Sequence, residues 1–276
     1  MMYKSISFVL LLGFALYGCD EPTGQTPGGA STTDVQDSKN DSILVAVEST
    51  NQFKDQFAIA YTVDFTKDSL VIVWKDDDGN AIKSFDLLKQ YLSNKNLAFM
   101  FGMNAGIYLD HPMNQPLGLL IQGGKELVPL NVEKGDQTNF YLHPNGVFYL
   151  TKDDSAYICA SANYEGGSNV FFATQSGPML LIDGEIHPAF TQGSDNLNIR
   201  NGVGVLPDGK VVLAMSVKPV NFFDFASYFK SIGCENALYL DGAISQVCWP
   251  DSGIEANQAD FGAFIAVCER AINELD

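Results

Sequence analysis

Several polar residues in this sequence stand where an apolar strand would otherwise continue, and their side chains are of the kinds that hold phosphate oxygens and sugar hydroxyls. Asn104 follows the run "LAFMFGM", Asn145 precedes "GVFYL", Ser176 and Gly177 divide "FFAT" from "MLLI", and Asp241 ends "ALYL". Strands ending in small polar residues are what a shared pocket requires, because a rigid scaffold presents them at fixed positions. Asp241 is the candidate carboxylate, suited to act as a base on water or to stabilise an oxocarbenium-like transition state. In Gln175-Ser176-Gly177-Pro178 the glycine permits close backbone approach, the proline fixes a turn and the serine offers a hydroxyl. The same stretch also suits a plain turn or bulge.

Arginine is used sparingly. Only Arg200 and Arg270 occur among 16 basic residues, so lysine carries the surface positive charge and each arginine calls for its own explanation. Arg200 lies in "NIRNGVGV", beside Asn201 at the entrance to an apolar strand. A guanidinium forks onto phosphate or carboxylate as an ammonium cannot. In a chain of net charge -17 it supplies the local cation that an anionic substrate needs. The alternative role is a pair with a buried Asp that holds a loop. The same acidity argues against nucleic acid, or an anionic membrane surface, bound through bulk electrostatics.

Other chemistries fit less well. His111, His143 and His187 each precede proline, which pushes them out of helical geometry and excludes ligand pairs borne on a helix. A zinc site built from loops stays open. Ser194-Asp195-Asn196 comes before Ser227-Tyr-Phe-Lys230, the wrong order for a penicillin-binding site, and no Lys-Thr-Gly follows. Asp76-Asp77-Asp78-Gly79-Asn80 lacks the spacing of a calcium loop and reads as a solvated turn. No cofactor is expected, and metal dependence is left open.

The elements that must position these residues are mostly strands. With 46% hydrophobic residues the chain can bury a full core without metal or disulfide help. Short β-branched and aromatic runs divided by turn residues predict an α+β fold in a single domain over residues 43–276: a mainly β core of mixed sheet with a few flanking helices. The helices are expected at "SFDLLKQYLS" after a serine cap, and at "NFFDFASYFKSIG", which ends on glycine. Asp183-Gly184 and Asp208-Gly209 read as hairpin turns. Cys159, Cys234, Cys248 and Cys268 show no CxxC spacing; two disulfides and buried free thiols are both open.

Ahead of the domain, residues 1–18 read as a leader with an apolar h-region, and "LYGC" resembles a bacterial lipobox that would leave Cys19 lipid-modified. An ordinary signal peptide or a lone membrane span is the alternative. Residues 19–42, rich in Gly, Pro, Ser, Thr and Asp, read as a flexible tether. These features place the protein in the cell envelope, on a periplasmic or surface face, touching the membrane only through its N-terminal lipid.

The stretches "NAGIY", "QPLGLLI", "NFYLHPNGVFYL", "ATQSGPMLLIDGEIHPAF", "RNGVGVLPDGKVVLAMS", "NFFDFASYF" and "ALYLDGAISQ" occur in an order that resembles the bacterial phosphodiester glycosidase family, over residues 95–268. That family is related to the lysosomal uncovering enzyme, which removes N-acetylglucosamine from a phosphodiester-linked sugar. The resemblance implies hydrolysis of a glycosyl-1-phosphodiester, with a phosphate monoester as leaving group and a phosphorylated sugar or cell-envelope glycan as partner. It implies catalytic roles for Asp241 and Arg200, and substrate contacts from Asn104, Tyr108, Asn145, Ser176, Gly177, Asn201 and Ser245. Ala243 and Ile244 depart from the glycine and serine run that follows the Asp in many relatives. Two other functions remain: a lipoprotein that binds envelope glycan without turnover, and a phosphodiesterase that cuts the other ester bond.

Overall fold

In the segment Asn236–Asp241, Ala237 and Tyr239 alternate with Leu238 and Leu240, and all four are buried. Successive side chains of a strand point to opposite faces, so this strand is covered on both sides. The computed structural model describes residues 57–109, 113–133, 135, 139–256 and 260–270. The expected leader, tether and Cys19, the first residues of the expected domain (43–56) and His111 lie outside the described residues, all of which belong to one compact unit, Leu44–Asp276.

The chain begins with β1 (Ala58–Val63), β2 (Asp68–Val73), α1 (Phe85–Asn94) and β3 (Phe99–Asn104). Short strands follow: β4 (Tyr108–Leu109), β5 (Gln115–Pro116), β6 (Leu120–Gln122) and β7 (Lys125–Val128). Then come β8 (Gly146–Thr151), β9 (Ala156–Ala160), β10 (Val170–Ser176), β11 (Met179–Ile182) and β12 (Glu185–Ile186). The last elements are β13 (Asn201–Val205), β14 (Val211–Ser216), α2 (Phe222–Ser231), β15 (Asn236–Asp241), β16 (Val247–Cys248) and β17 (Phe264–Glu269).

These strands make a six-stranded sheet in the order β1-β14-β13-β15-β11-β12, a five-stranded sheet β7-β6-β10-β8-β9 and a four-stranded sheet β16-β3-β17-β2, with β4 and β5 forming a separate pair. The mainly β architecture with flanking helices is as expected. The pairing corrects the expectation of a mixed sheet, since every ladder among the described strands is antiparallel. Parallel neighbours need long crossovers, whereas hairpins join β4 to β5, β6 to β7, β8 to β9, β11 to β12 and β13 to β14.

The inner faces of all three sheets meet in one core, to which Phe101, Met103, Leu120, Phe148, Leu213, Leu238 and Ile265 contribute. Both helices form where their sequence pattern placed them. Ser84 caps α1 by accepting from the Leu87 N–H, and Phe85, Leu88 and Leu92 seat the helix on the four-stranded sheet. Asn221 caps α2, whose Phe222, Phe225, Ala226 and Phe229 cover the outer face of the six-stranded sheet. Asp183 and Gly184 form the β11–β12 turn with positive φ, and Gly209 turns β13 into β14. The four described cysteines are free thiols.

Close packing of α2 depends on glycine in β13. A Cβ at Gly204 would lie 2.6 Å from the Cys234 sulfur and 2.7 Å from the Phe229 ring. Gly204→Ala is therefore expected to destabilise the fold by about 1–3 kcal/mol, since overpacked cores must shift backbone or rotamers. Thermal unfolding with an unchanged midpoint would count against this packing.

Candidate functional site

Four strand ends converge. β3 finishes at Asn104, β15 at Asp241 and β10 at Ser176, and the antiparallel β13 begins at Asn201, directly opposite Asp241. The β13–β15 ladder carries an irregularity here: Gly202 pairs with Tyr239 but Asn201 pairs with Asp241, which makes Leu240 the extra residue of a bulge. Bulges re-aim side chains at sheet ends. The Leu240 carbonyl accepts the Ser176 hydroxyl at 2.9 Å, which ties the five-stranded sheet to this point.

A polar network is built on these ends. The Asn104 amide donates to Asp241 Oδ2 at 2.8 Å. Asn201 Nδ2 donates to the Asn104 carbonyl at 2.8 Å and to its Oδ1 at 3.1 Å. Ser245 Oγ donates to the Asp241 carbonyl at 2.8 Å and lies 3.3 Å from Asn201 Oδ1. Asp241 Oδ1 accepts the backbone N–H groups of Gly242 at 2.6 Å and Ala243 at 2.8 Å. The departure "GAI" after Asp241 therefore still supplies backbone donors. Asp241 is 5% exposed. Burial raises its pKa above the ordinary carboxylate range, opposed by the N–H groups of Ala243, Gly242 and Ile244 and by Asn104.

The Gln-Ser-Gly-Pro interruption is where the chain leaves one sheet for another. Ser176 still pairs with Gly146 in the five-stranded sheet, and Met179 already belongs to the six-stranded one. Gly177 is needed for close approach, because a Cβ there would lie 2.5 Å from that of Asn145. Asn145 is fully buried. Its Nδ2 donates to the Phe140 carbonyl at 2.9 Å and its Oδ1 accepts the Ser161 hydroxyl. Asn145 thus holds the segment before β8, rather than presenting a free amide to a substrate as the sequence reading expected. Tyr108 is half-buried on β4, its hydroxyl donating to the Asp260 carbonyl at 2.6 Å rather than to a residue of the network. Thr174 was missed by that reading: its hydroxyl donates to the Ala105 carbonyl at 3.0 Å. Its signal was period two, since Thr174 and Ser176 share one face of a buried strand.

Arg200 is completely buried. Its Nε donates to the Val220 carbonyl at 2.8 Å, and Nη2 to the Asn196 carbonyl at 2.8 Å and to Asn196 Oδ1 at 3.1 Å. The guanidinium carbon stands 3.7 Å from the Phe222 ring centroid and 5.5 Å from that of Tyr239. Among the described residues no carboxylate pairs with it. The fork is therefore largely committed to backbone; Nη1 makes no hydrogen bond of good geometry, although the Tyr239 hydroxyl interacts with the guanidinium and favours its charged form. Burial lowers its pKa, but arginine starts so high that the group stays charged.

An aromatic column supports the cation, with Phe222 stacked on Phe190 at 4.9 Å and Phe190 on His187 at 4.8 Å. His187 Nδ1 accepts the Ala189 N–H at 3.2 Å, so the proton sits on Nε2, 3.1 Å from the His143 carbonyl. Burial lowers the His187 pKa. A depressed folded value gives stability that is present above the unfolded value near 6.5 and lost as pH falls through the folded one. Thermal midpoints of wild type and His187→Gln are expected to converge as pH drops from 7 toward 5; a constant gap would remove His187 as the cause.

A surface cleft of about 770 Å³ opens at the other end of β8, β13 and β15, lined by residues including Asp64, Asp153, Asp208, Glu235, Lys210 and Arg270. It contains none of the network residues. Its two cations are already paired, Lys210 with Asp208 and Arg270 with Asp154, so its acidity disfavours an anionic substrate. Among the described residues no group of three His, Cys, Asp or Glu is gathered for a metal.

The model of the phosphodiester glycosidase family matches residues 99–274, a span that takes in the whole network. The chain belongs to that family. It is 34% identical over 209 residues to the uncharacterized protein YigE of Escherichia coli (strain K12), covering 75% of this chain and 80% of the relative. A putative exported protein from Burkholderia pseudomallei shares the fold at 11% identity, with a TM-score of 0.50 over 76% of this chain and 73% of that one. The catalytic domain of zebrafish N-acetylglucosamine-1-phosphodiester alpha-N-acetylglucosaminidase, auto-inhibited by its pro-peptide, aligns with a TM-score of 0.49 at 17% identity, over 80% and 87% of the two chains. Membership in the phosphodiester glycosidase family gives the chain a glycosidase-type activity in general terms.

Proposed function

We propose that this protein hydrolyses a glycosyl-1-phosphodiester at the anomeric carbon, releasing a free sugar and a phosphate monoester. The observation that carries the reading is Arg200, a buried guanidinium with no carboxylate partner among the described residues, whose Nη1 makes no hydrogen bond of good geometry. Burying an unpaired cation costs several kcal/mol in effective terms, and a substrate phosphate would supply the missing anion. The network residue Asn201 follows Arg200 directly in the chain, and Asp241, opposite Asn201, has its charged form disfavoured by burial.

In this scheme water attacks the anomeric carbon as its proton passes to the Asp241 carboxylate. The bond from that carbon to the phosphate oxygen breaks, the electron pair leaves with the phosphate, and Arg200 Nη1 meets the developing charge. A phosphate monoester is a weak base, so its departure needs little acid assistance. Asn104 and Asn201 act as positioning residues by fixing Asp241, and Ser176 supports the bulge that aims it. The preferred substrate class is an N-acetylglucosamine-like phosphodiester, as the family resemblance implies.

The test is incubation with UDP-N-acetylglucosamine and a panel of glycosyl-1-phosphodiesters, resolving the products. Free sugar with phosphomonoester is expected. Sugar 1-phosphate would instead make the protein a phosphodiesterase, and saturable binding without release would make it a glycan-binding protein. The sequence of residues 1–42 further supports a lipid anchor at Cys19 in the cell envelope. Cys19→Ser is expected to abolish incorporation of labelled fatty acid; undiminished labelling would exclude that site.

A further inference from the structure

Three buried side-chain polar atoms have no hydrogen-bond partner among the described residues: Arg200 Nη1, Gln246 Oε1 and the Tyr164 hydroxyl. Native folds leave few such atoms, and each calls for an explanation. Tyr164 packs against the small cluster of Leu119, Ile121 and Val147, away from the network. Arg200 Nη1 already has a role in the scheme above. Gln246 has none.

The ladder fixes where Gln246 stands. Val247 pairs with Met103 between β16 and β3, so the preceding Gln246 lies directly opposite Asn104 in the same antiparallel register. Opposed residues of an antiparallel pair project on the same face. The backbone confirms the proximity, for the Gln246 N–H donates to Asn104 Oδ1 at 3.1 Å. The Asn104 amide spends one N–H on Asp241 Oδ2 and makes no hydrogen bond to the Gln246 side-chain carbonyl oxygen. Asn201 Nδ2 is engaged with Asn104, and Ser245 Oγ with Asp241 and Asn201. Gln246 Oε1 is therefore a buried acceptor without a partner, close to the residue that holds the candidate carboxylate.

Arg200 Nη1 and Gln246 Oε1 are complementary in chemistry, one a cationic donor and the other a neutral acceptor. A ligand that satisfies both carries an anionic oxygen and, apart from it, a hydroxyl or amide N–H, as a phosphorylated sugar does. We propose that Gln246 is a specificity-determining residue, whose Oε1 accepts a hydrogen bond from a hydroxyl or amide N–H of the sugar being released. This assignment rests on the hydrolytic reading above.

The test uses the full chain in detergent and compares wild type with Gln246→Met, which keeps the side-chain length and removes the acceptor. Substrates are glycosyl phosphodiesters of glucose and N-acetylglucosamine, with analogues deoxygenated singly at ring positions 2, 3, 4 and 6. Wild type is expected to lose about 10-fold in kcat/KM on the one analogue that lacks the donor, and Gln246→Met to lose about as much on the intact substrate. The two losses should not add, since they remove the same bond. The position concerned, and whether the acetamido or the hydroxyl sugar shows the effect, identifies the donor. An unchanged kcat/KM in Gln246→Met, or additive losses at every position, would overturn the assignment.

A thermal midpoint of the variant equal to or above that of wild type is expected, because an orphaned acceptor has been removed. A lowered midpoint with unchanged selectivity would assign Gln246 to structure alone. Wild type that releases no sugar from any diester would defeat the hydrolytic reading. Gln246 is then judged by calorimetry with glucose 1-phosphate and N-acetylglucosamine 1-phosphate. Binding about 10-fold weaker in the variant upholds it, whereas equal affinities, or no binding by wild type, overturn it.

Discussion

Asp241→Asn is expected to lower kcat by about 10²–10⁴-fold on any diester the wild type cleaves, the range associated with removing a positioned base. The surroundings explain why the loss should fall on kcat. Asp241 is held by three hydrogen bonds from Asn104 Nδ2 and the Gly242 and Ala243 N–H groups, so its carboxylate is aimed before substrate arrives. An Asn that keeps its carbonyl on the two backbone donors turns its amide toward the Asn104 amide, donor against donor. That local conflict opposes the relief of removing a buried charge, and the fold is expected to survive. The pH dependence gives a second readout. Because burial raises the Asp241 pKa, the acid limb of kcat/KM in the wild type should lie above the ordinary carboxylate value near 3.9, with activity falling as pH drops through it. A group whose folded pKa is raised gives stability that is present at low pH and lost as pH rises through the folded value. Wild type should therefore lose stability over that interval relative to Asp241→Asn. Activity retained within 10-fold in the variant would remove Asp241 from the chemistry.

Much of this arrangement was legible in the sequence because it follows from short-range pattern. Ser84 before an apolar stripe of helical spacing, and glycine after "FFDFASYFKSI", place α1 and α2 almost to the residue. Asn104, Ser176 and Asp241 stand out because each ends an apolar run, and sheet ends do converge in space. What stayed hidden depends on partners distant in sequence. The carbonyl cage of Arg200 is made by the backbone of Val220 and Asn196, and a backbone carbonyl has no side-chain signature. The extra residue at Leu240 is invisible until β15 is set against β13. Asn145 looked like a ligand contact because its type and its turn suit one, yet the Phe140 carbonyl and the Ser161 hydroxyl occupy its amide. Gln246 carries no motif, and it becomes conspicuous only when every hydrogen-bonding atom around Asn104 has been assigned.

Arg200→Lys should be the more informative companion to Asp241→Asn, because it retains the charge and removes the geometry. The guanidinium divides its work: Nε and Nη2 anchor the side chain to Val220 and Asn196, and Nη1 is left over. A single ammonium cannot hold both carbonyls and still reach a phosphate oxygen. It also stacks less well on Phe222, whose ring lies 3.7 Å from the guanidinium carbon. The expected outcome is a fall in kcat/KM of about 10²–10³-fold, comparable to loss of one preorganised donor at a developing negative charge. Destabilisation should be modest, because the lysine still places a cation among the same carbonyls. Replacement by methionine would leave those carbonyls without a donor, and each should cost about 1–3 kcal/mol; a weaker fold in Arg200→Met with loss of activity would therefore not separate structure from chemistry. Lysine makes the distinction through product inhibition. If Nη1 holds the departing phosphate, inorganic phosphate and phosphomonoesters should inhibit wild type competitively and Arg200→Lys about as much more weakly as its kcat/KM has fallen. Equal inhibition constants in the two proteins, whatever the loss of activity, would return Arg200 to a purely structural role.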